Sequence, residues 1–202
     1  MPKTTDQRSH SASLPIACAA IVLMAVYRAA PHPWNVAPAS ALFLLGGLYL
    51  GKGWCGWAIP FVALIVSDAI LYWQWDHTLW RPERLIDYGG FALIGLLGRA
   101  AADRPAGVRI GAVAAAPFVF YLVSNFGVWL NSHGLYARTS QGLVDCYVAG
   151  LPFLRGTVMG DWLFAGAGIL ATEAPARFTR VRTGHQRKAP LQRSPSTDLT
   201  AR

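Results

Sequence analysis

The stretch that decides the fold is IGAVAAAPFVFYLVSNFGVWL, Ile110 to Leu130. It holds no charged residue, and about 20 apolar residues in a helix are enough to cross the hydrocarbon core of a bilayer. Near its end Ser124 and Asn125 stand side by side, ahead of Trp129. Polar side chains in such a run either hydrogen-bond to neighbouring helices or face a cavity that lipid does not fill.

The whole chain has the composition of a polytopic helical membrane protein. Of its 202 residues, 53% are hydrophobic and only 14% are charged, whereas an ordinary soluble domain carries about 25% charged residues. Mean hydropathy is +0.33. The net charge of +8 is concentrated after Pro175, where seven Lys/Arg accompany one acid, Asp198. A basic tail next to a membrane span is typical of the cytoplasmic side. No nucleic-acid-binding motif accompanies it.

Apolar runs separated by polar or Pro/Gly-rich segments predict an all-α fold with six transmembrane helices. The predicted runs are Leu14–Ala30, Val36–Leu50, Cys55–Trp73, Ile86–Ala101, Ile110–Leu130 and Thr157–Ala174, with a half-apolar segment at Leu143–Leu154. This gives a cytoplasmic segment over 1–13, a transmembrane domain over 14–174 and a basic, disordered tail over 175–202. The first run resembles a signal peptide, but cleavage after Ala30 would leave Pro31 at the new terminus, so we expect an uncleaved helix.

Lys and Arg residues orient the predicted helices. With a cytoplasmic N-terminus, 13 of them fall inside and 5 outside, which predicts that both termini are cytoplasmic. At 1.5 Å per residue, Asp68, Asn125 and Asp161 then lie roughly 6–8 Å below the outer boundary. Ser67 and Ser124 share that level. Polar groups gathered at one depth are the pattern expected of a cavity that opens to the outside.

Most tryptophans are predicted to lie on the same, outer side of the membrane. Six tryptophans map to the outer half, namely Trp34, Trp73, Trp75, Trp80, Trp129 and Trp162. They are expected either to anchor the protein at the interface or to form a stacking surface for a ring-bearing ligand. The predicted ligand-binding residues are Asn35, Asp68, Asn125, Trp129, Tyr147 and Asp161.

Each polar group also has a structural interpretation. Asp161, near a predicted helix start, is favoured there by the helix dipole, and Ser124 and Asn125 can bond neighbouring helices together. Glycines at five positions predict close helix packing: Gly46, Gly47, Gly89, Gly90 and Gly95. The alternative function is therefore a structural or assembly protein without a small-molecule ligand.

The sequence gives little support for an enzyme. The three cysteines, Cys18, Cys55 and Cys146, form no CxxC pair and are expected to be small buried hydrophobes. No HExxH or GxSxG motif is present. We expect no enzyme activity, no cofactor and no resident metal. A Cys146–His133 nucleophile pair is the one arrangement left open.

Several segments together resemble a known family. They are PHPWNVAPASALFLLGGLYLGK, PFVALIVSDAILY, YGGFALIGLLGR, SNFGVWL and YARTSQGLVDCYVAGLPFLRGTVMGDWLF. Over roughly residues 30–172 the chain looks like a family of small, uncharacterised bacterial inner-membrane proteins. That family is distantly similar to the S-components of energy-coupling-factor vitamin transporters.

The resemblance implies an S-component-like bundle of six helices with both termini inside and an outward-facing ligand cavity. It implies a vitamin-like solute, with a cobalamin-type compound as the leading guess. Cys146 or His133 would be the candidate ligand to cobalt. S-components dock an energising module through small residues of the first helix, where this chain has Ala25 and Ala29 in AxxxA spacing. The implied partners are thus the solute, the bilayer and such a module.

Overall fold

The computed structural model describes residues 15, 18–19, 21–31, 36–50, 53–74 and 82–187, without the side chains of 55, 82, 83 and 175–187. Within these ranges the chain forms six helices and no β-strand, which confirms the all-α prediction. We number them α1 (21–29), α2 (Ala39–Tyr49), α3 (Cys55–Gln74), α4 (Pro82–Ala101), α5 (Ala106–Leu130) and α6 (Ser140–Arg187). Residues 15 and 18–19 are also helical.

The boundaries differ from prediction in two places. Helix α4 begins at Pro82, inside a stretch whose polar residues predict a loop; proline fits the first turn of a helix, where its missing N–H has no helical partner. Helix α6 joins the half-apolar segment and the sixth run into 48 residues, about 70 Å long. Arg155 does not interrupt it, because that side chain is exposed. The backbone is helical to Arg187, so α6 continues beyond the predicted boundary at 175. Residues 1–13 and 188–202 lie outside the described part of the chain, and the predicted terminal segments stay predictions.

Two of the described helices are long and apolar enough to cross a membrane. They are Gly56–Gln74 in α3 and Ala106–Leu130 in α5, of which only 28% and 17% are buried within the protein. Their outer faces expose large apolar side chains such as Ile65, Val66 and Phe118. An extensive exposed apolar surface of this kind marks an interaction surface. Helix α2 has 11 residues, about 16 Å, and by itself is too short to span about 30 Å of hydrocarbon.

Helix α2 is the centre of the core. Its residues from Ala39 to Leu48 are all buried, and α3, α4, α5 and α6 surround it. A helix that is apolar on every side belongs in an interior. The ring of Phe43 stacks on Phe91 at 5.3 Å and meets Phe61 edge-on at 4.7 Å. The run that predicts a second span therefore forms a buried core helix.

Glycines set the closest helix contacts. A Cβ built on Gly47 would meet backbone atoms of Gly95, Gly98 and Arg99 on α4, so the two backbones touch. The glycine-packing prediction is confirmed at four positions: Gly46, Gly47, Gly90 and Gly95. It is wrong at Gly89, which is exposed and where an added Cβ would meet nothing within 4 Å.

Consecutive helices run in opposite directions. In an antiparallel pair, one residue number rises along the contacts as the other falls. The contacts between consecutive helices are Phe43–Phe61 and Gly46–Gly56 for α2 and α3, Asp68–Tyr88 and Trp57–Gly95 for α3 and α4, Gly90–Val123 and Ile86–Gly127 for α4 and α5, and Asn125–Gly150 and Arg109–Glu173 for α5 and α6. The first and last helices, α1 and α6, follow the same pattern through Tyr27–Phe164 and Met24–Gly168. The loop at 131–139 thus lies at one end of the bundle, and the turn at 102–105 lies at the other. We refer to these as the 131–139 end and the 102–105 end.

Candidate functional site

A groove between α5 and the first half of α6 is the main polar cavity among the described residues. We call it the α5–α6 groove. Its volume is about 400 Å³, and its lining mixes aromatic, aliphatic and polar side chains: Phe120, Tyr121, Ser124, Asn125, Val128, Tyr136, Cys146, Ala149, Gly150, Phe153, Leu154 and Thr157. Ser124 and Asn125, the pair that interrupts the deciding stretch, therefore face a groove between two helices.

Asn125 is positioned by its own helix and by α6. Its Nδ2 donates to the Tyr121 carbonyl oxygen one turn earlier, at 2.9 Å. Its Oδ1 lies against Gly150, where no Cβ intervenes. The Cys146 thiol donates to the Asn125 carbonyl oxygen at 3.4 Å, so α6 also contacts the backbone there. The Tyr121 contact uses one of the two N–H groups of Nδ2, so the amide keeps a second donor and its oxygen for hydrogen bonding.

We expect Gly150→Ala to displace the Asn125 side chain. The added methyl would lie 2.9 Å from Asn125 Cγ and 3.0 Å from Nδ2, closer than packed atoms approach. A shift of one side chain costs about 1–3 kcal/mol in such overpacked sites. The measurement is the thermal midpoint in detergent, compared with Gly166→Ala, whose Cβ would meet nothing within 4 Å. Equal midpoints for the two variants would contradict this packing.

Trp129 and Tyr147 flank the groove without lining it. The Trp129 indole donates to the Ala137 carbonyl oxygen at 2.9 Å, and the Arg138 guanidinium lies 5.5 Å from its ring. The Tyr147 hydroxyl donates to the Leu122 carbonyl oxygen at 2.8 Å. Trp129 therefore fastens the 131–139 loop to α5, and Tyr147 joins α6 to α5.

Asp68 lies elsewhere, in an ion-paired cluster that joins α1, α3 and α4. Its carboxylate pairs with Arg28 at 2.6 Å and with Arg84 at 3.3 Å, and accepts a hydrogen bond from Tyr88 at 2.8 Å. Arg28 also donates to Ser67 Oγ at 2.8 Å. Only 2% of Asp68 is exposed. A buried carboxylate with two guanidinium partners and a hydroxyl donor is fully satisfied by the protein.

Asp68 and Asn125 do not share a cavity. Along α4, Tyr88 binds Asp68, while Ile86 and Gly90 on either side of it contact α5 at Gly127 and Val123. Asn125 lies between those two α5 residues in the sequence and packs on Gly150 of α6. Asp68 does not line the α5–α6 groove.

Asp161 contacts a third region, the start of α2. Its neighbour Gly160 packs against the backbone of Val36 and Ala37, and Ser40 and Ala41 are its polar neighbours on α2. Only 2% of the residue is exposed. The structural interpretation of the sequence expects Asp161 near the start of its own helix. The structure places it instead at the start of α2.

Of the other predicted residues, Asn35 lies outside the described part of the chain. Cys146 is buried in the α5–α6 groove. His133 is exposed in the 131–139 loop with φ of 47°. The predicted ligand set is therefore divided between the groove, the Asp68 cluster and the start of α2.

Sequence reasoning missed the partners of the buried acids. Arg84 and Tyr88 lie one turn apart on the same face of α4, a spacing that brings side chains together. The sequence assigns Arg84 to a loop over Gln74–Leu85, so this helical spacing was not recognised. At the 102–105 end, Glu173 of α6 pairs with Arg109 of α5 and accepts a hydrogen bond from Tyr49 at 2.8 Å.

The chain belongs to a family of unknown function, DUF6580, whose model matches residues 8–179. The prediction of an uncharacterised family is thereby confirmed. No curated protein and no solved structure matches the chain. Similarity to S-components therefore rests on the sequence resemblance alone.

Proposed function

We propose that this DUF6580 protein is a polytopic inner-membrane protein that binds a small, ring-bearing, vitamin-like solute in the α5–α6 groove for uptake. The groove is the observation that carries the proposal, because it combines hydroxyl, amide and aromatic groups in one cavity. Pockets that bind small molecules commonly have about 300–1,000 Å³ and a few convergent polar groups in an apolar lining.

Membrane insertion is supported by three features. The two longest apolar helices expose most of their surface, consecutive helices alternate in direction, and the Lys/Arg distribution favours cytoplasmic termini. In this topology the 131–139 end faces outward, so the groove is reached from the outer side. Helix α2 then lies within the bundle, packed between helices that face the lipid.

The groove is suited to a single ring system. Asn125 Oδ1 is an acceptor, the hydroxyls of Ser124, Tyr136 and Thr157 donate or accept, and aromatic side chains can stack on a flat ligand. The corrin ring of a cobalamin-type compound is much larger and would project beyond about 400 Å³. Cys146 is the groove residue whose sulfur a cobalt ion would meet.

The test is ligand binding by purified wild-type protein in detergent or nanodiscs. Native mass spectrometry and absorbance spectra identify any co-purifying molecule, and thermal shifts with individual vitamins, including cobalamin, measure affinity. Changing both Ser124 and Asn125 to alanine is expected to weaken binding about tenfold or more, since each lost hydrogen bond contributes about 1 kcal/mol. Asp103→Asn, an exposed change in the turn at the 102–105 end, is the control. Unchanged affinity in the double variant would remove the groove as the site.

A structural or assembly protein is the second candidate, and the Asp68 cluster favours it. There, every polar group is occupied by another helix. This function predicts no co-purifying solute and no stabilisation by any vitamin. An energising module remains part of the uptake proposal, and Ala25 and Ala29, which have the AxxxA spacing, are 9% exposed in the bundle.

A further inference from the structure

Three acids with described side chains connect the helices of the bundle, and one differs from the other two. Asp68 pairs with Arg28 and Arg84, and Glu173 pairs with Arg109. Neither carboxylate oxygen of Asp161 has a hydrogen-bond partner among the described residues, although both oxygens are buried. Asp161 also has no cation within ion-pair distance among them. Each of the two paired acids faces at least one arginine, and Asp161 faces none among the described residues.

The surroundings of Asp161 offer polarity without opposite charge. The Ser40 hydroxyl and the Ser40 and Ala41 backbone N–H groups of α2 are the donors nearest to its carboxyl group, but none of them reaches either oxygen in full hydrogen-bond geometry. The segment 36–38 in front of α2 holds no ionisable side chain. Within one turn of Asp161, α6 also holds none. From α1, Tyr27 packs on Phe164 at 4.6 Å, and the adjacent Arg28 is committed to Asp68.

We propose that Asp161 is a proton-binding site at the contact between α2 and α6, occupied by a proton at neutral pH. A carboxylate removed from water without a cation or hydrogen bonds is unfavourable, and such a group takes up a proton instead. The start of α2 then gives the site its second state. Its unpaired N–H groups carry partial positive charge, so they attract the carboxylate once the proton leaves.

The proposal does not depend on the solute in the α5–α6 groove. Loss of the proton would draw Asp161 towards α2, and Gly160 already packs on the backbone of 36–37. A proton is favoured over a metal cation at this position, because the positive end of α2 repels a cation. Ionisable residues within membrane bundles commonly mark proton pathways.

The test is infrared spectroscopy of full-length protein in lipid, with aspartate labelled with ¹³C at the side-chain carboxyl carbon. Exposed aspartates have pKa values of about 4 and are ionised at pH 7. A protonated-carboxyl C=O band that shifts on labelling therefore reports a buried aspartic acid. We expect this band at pH 7 in the wild type, its loss at high pH and its absence in Asp161→Asn. Asp145→Asn, an exposed change on the same helix, should leave it unchanged.

Either of two results would overturn the site. One is a wild-type spectrum without an aspartic-acid band at pH 7, which would make Asp161 an ionised partner of the α2 start. The other is a band that persists in folded Asp161→Asn. If that variant does not fold, Ser40→Ala keeps the carboxyl group and changes its polar neighbour. A shift in band frequency then assigns the band to Asp161, and an unshifted band assigns it elsewhere and overturns the site.

Discussion

Asp68→Ala is expected to destabilise the protein by about 3–5 kcal/mol, the usual result of removing one member of a buried ion pair. The loss exceeds that of the carboxylate contacts alone, because among the described residues Arg28 is left with one polar partner, Ser67. Arg84 and Tyr88 lose their bonds to the same carboxylate. Three helices, α1, α3 and α4, would thus be released from one another. The measurement is the thermal or denaturant midpoint in detergent.

A second substitution distinguishes uncompensated charge from lost packing. If the buried guanidinium causes the loss, Arg28→Leu added to Asp68→Leu should recover much of the stability, since apolar side chains of similar volume often replace a buried pair at little cost. Asp145→Asn is the control: Asp145 is exposed and accepts a hydrogen bond from Gln141 one turn away, at 2.9 Å, so we expect a change within about 0.5 kcal/mol. A double variant that is less stable than Asp68→Leu alone would contradict the explanation by uncompensated charge.

The sequence predicts the helices well because their apolar runs are long and uninterrupted. It predicts the role of α2 poorly. Val36–Leu50 is as apolar as a membrane span, and composition alone does not separate a helix surrounded by lipid from one surrounded by protein. The distinction lies in length, since 11 helical residues reach about 16 Å, and in the glycines that let α4 approach it. The sequence divides α6 into two segments because one exposed arginine, Arg155, in an apolar segment is typical of a loop.

The sequence predicts the residues of the candidate site for each helix separately and does not show which of them meet. Ser124 and Asn125 line the α5–α6 groove, and the sequence singles them out because two adjacent polar side chains in an uncharged run of 21 residues are costly to expose to hydrocarbon. Asp68 and Asp161 were grouped with them by depth. Depth fixes position along the helix axis but not the face of the helix, and Asp68 bonds to α4 whereas Asn125 packs on α6. Tertiary contacts decide which polar groups meet, and one sequence does not contain them.

Gly47→Ala is the other change expected to have a large effect. The new methyl would meet the Gly95 carbonyl oxygen well inside contact distance and would lie 2.7 Å from the Arg99 amide nitrogen. Both obstacles are backbone atoms of α4, so no side chain can turn aside, and the two helices must separate. Separation would open the stack of Phe43 on Phe91. Ordinary overpacking costs about 1–3 kcal/mol, and we expect a loss at or above that range, seen as a lower thermal midpoint and less folded protein.

Matched glycines provide the control for that result. Gly89→Ala and Gly166→Ala place a methyl where nothing lies within 4 Å, and alanine favours helix over glycine by about 1 kcal/mol. These variants should be as stable as the wild type or slightly more so. Gly98→Ala, whose Cβ would meet the Leu44 backbone from the opposite side of the same contact, should behave like Gly47→Ala. If Gly47→Ala instead matched Gly89→Ala, α2 would not pack on α4 backbone to backbone, and the buried position of α2 would have to be abandoned.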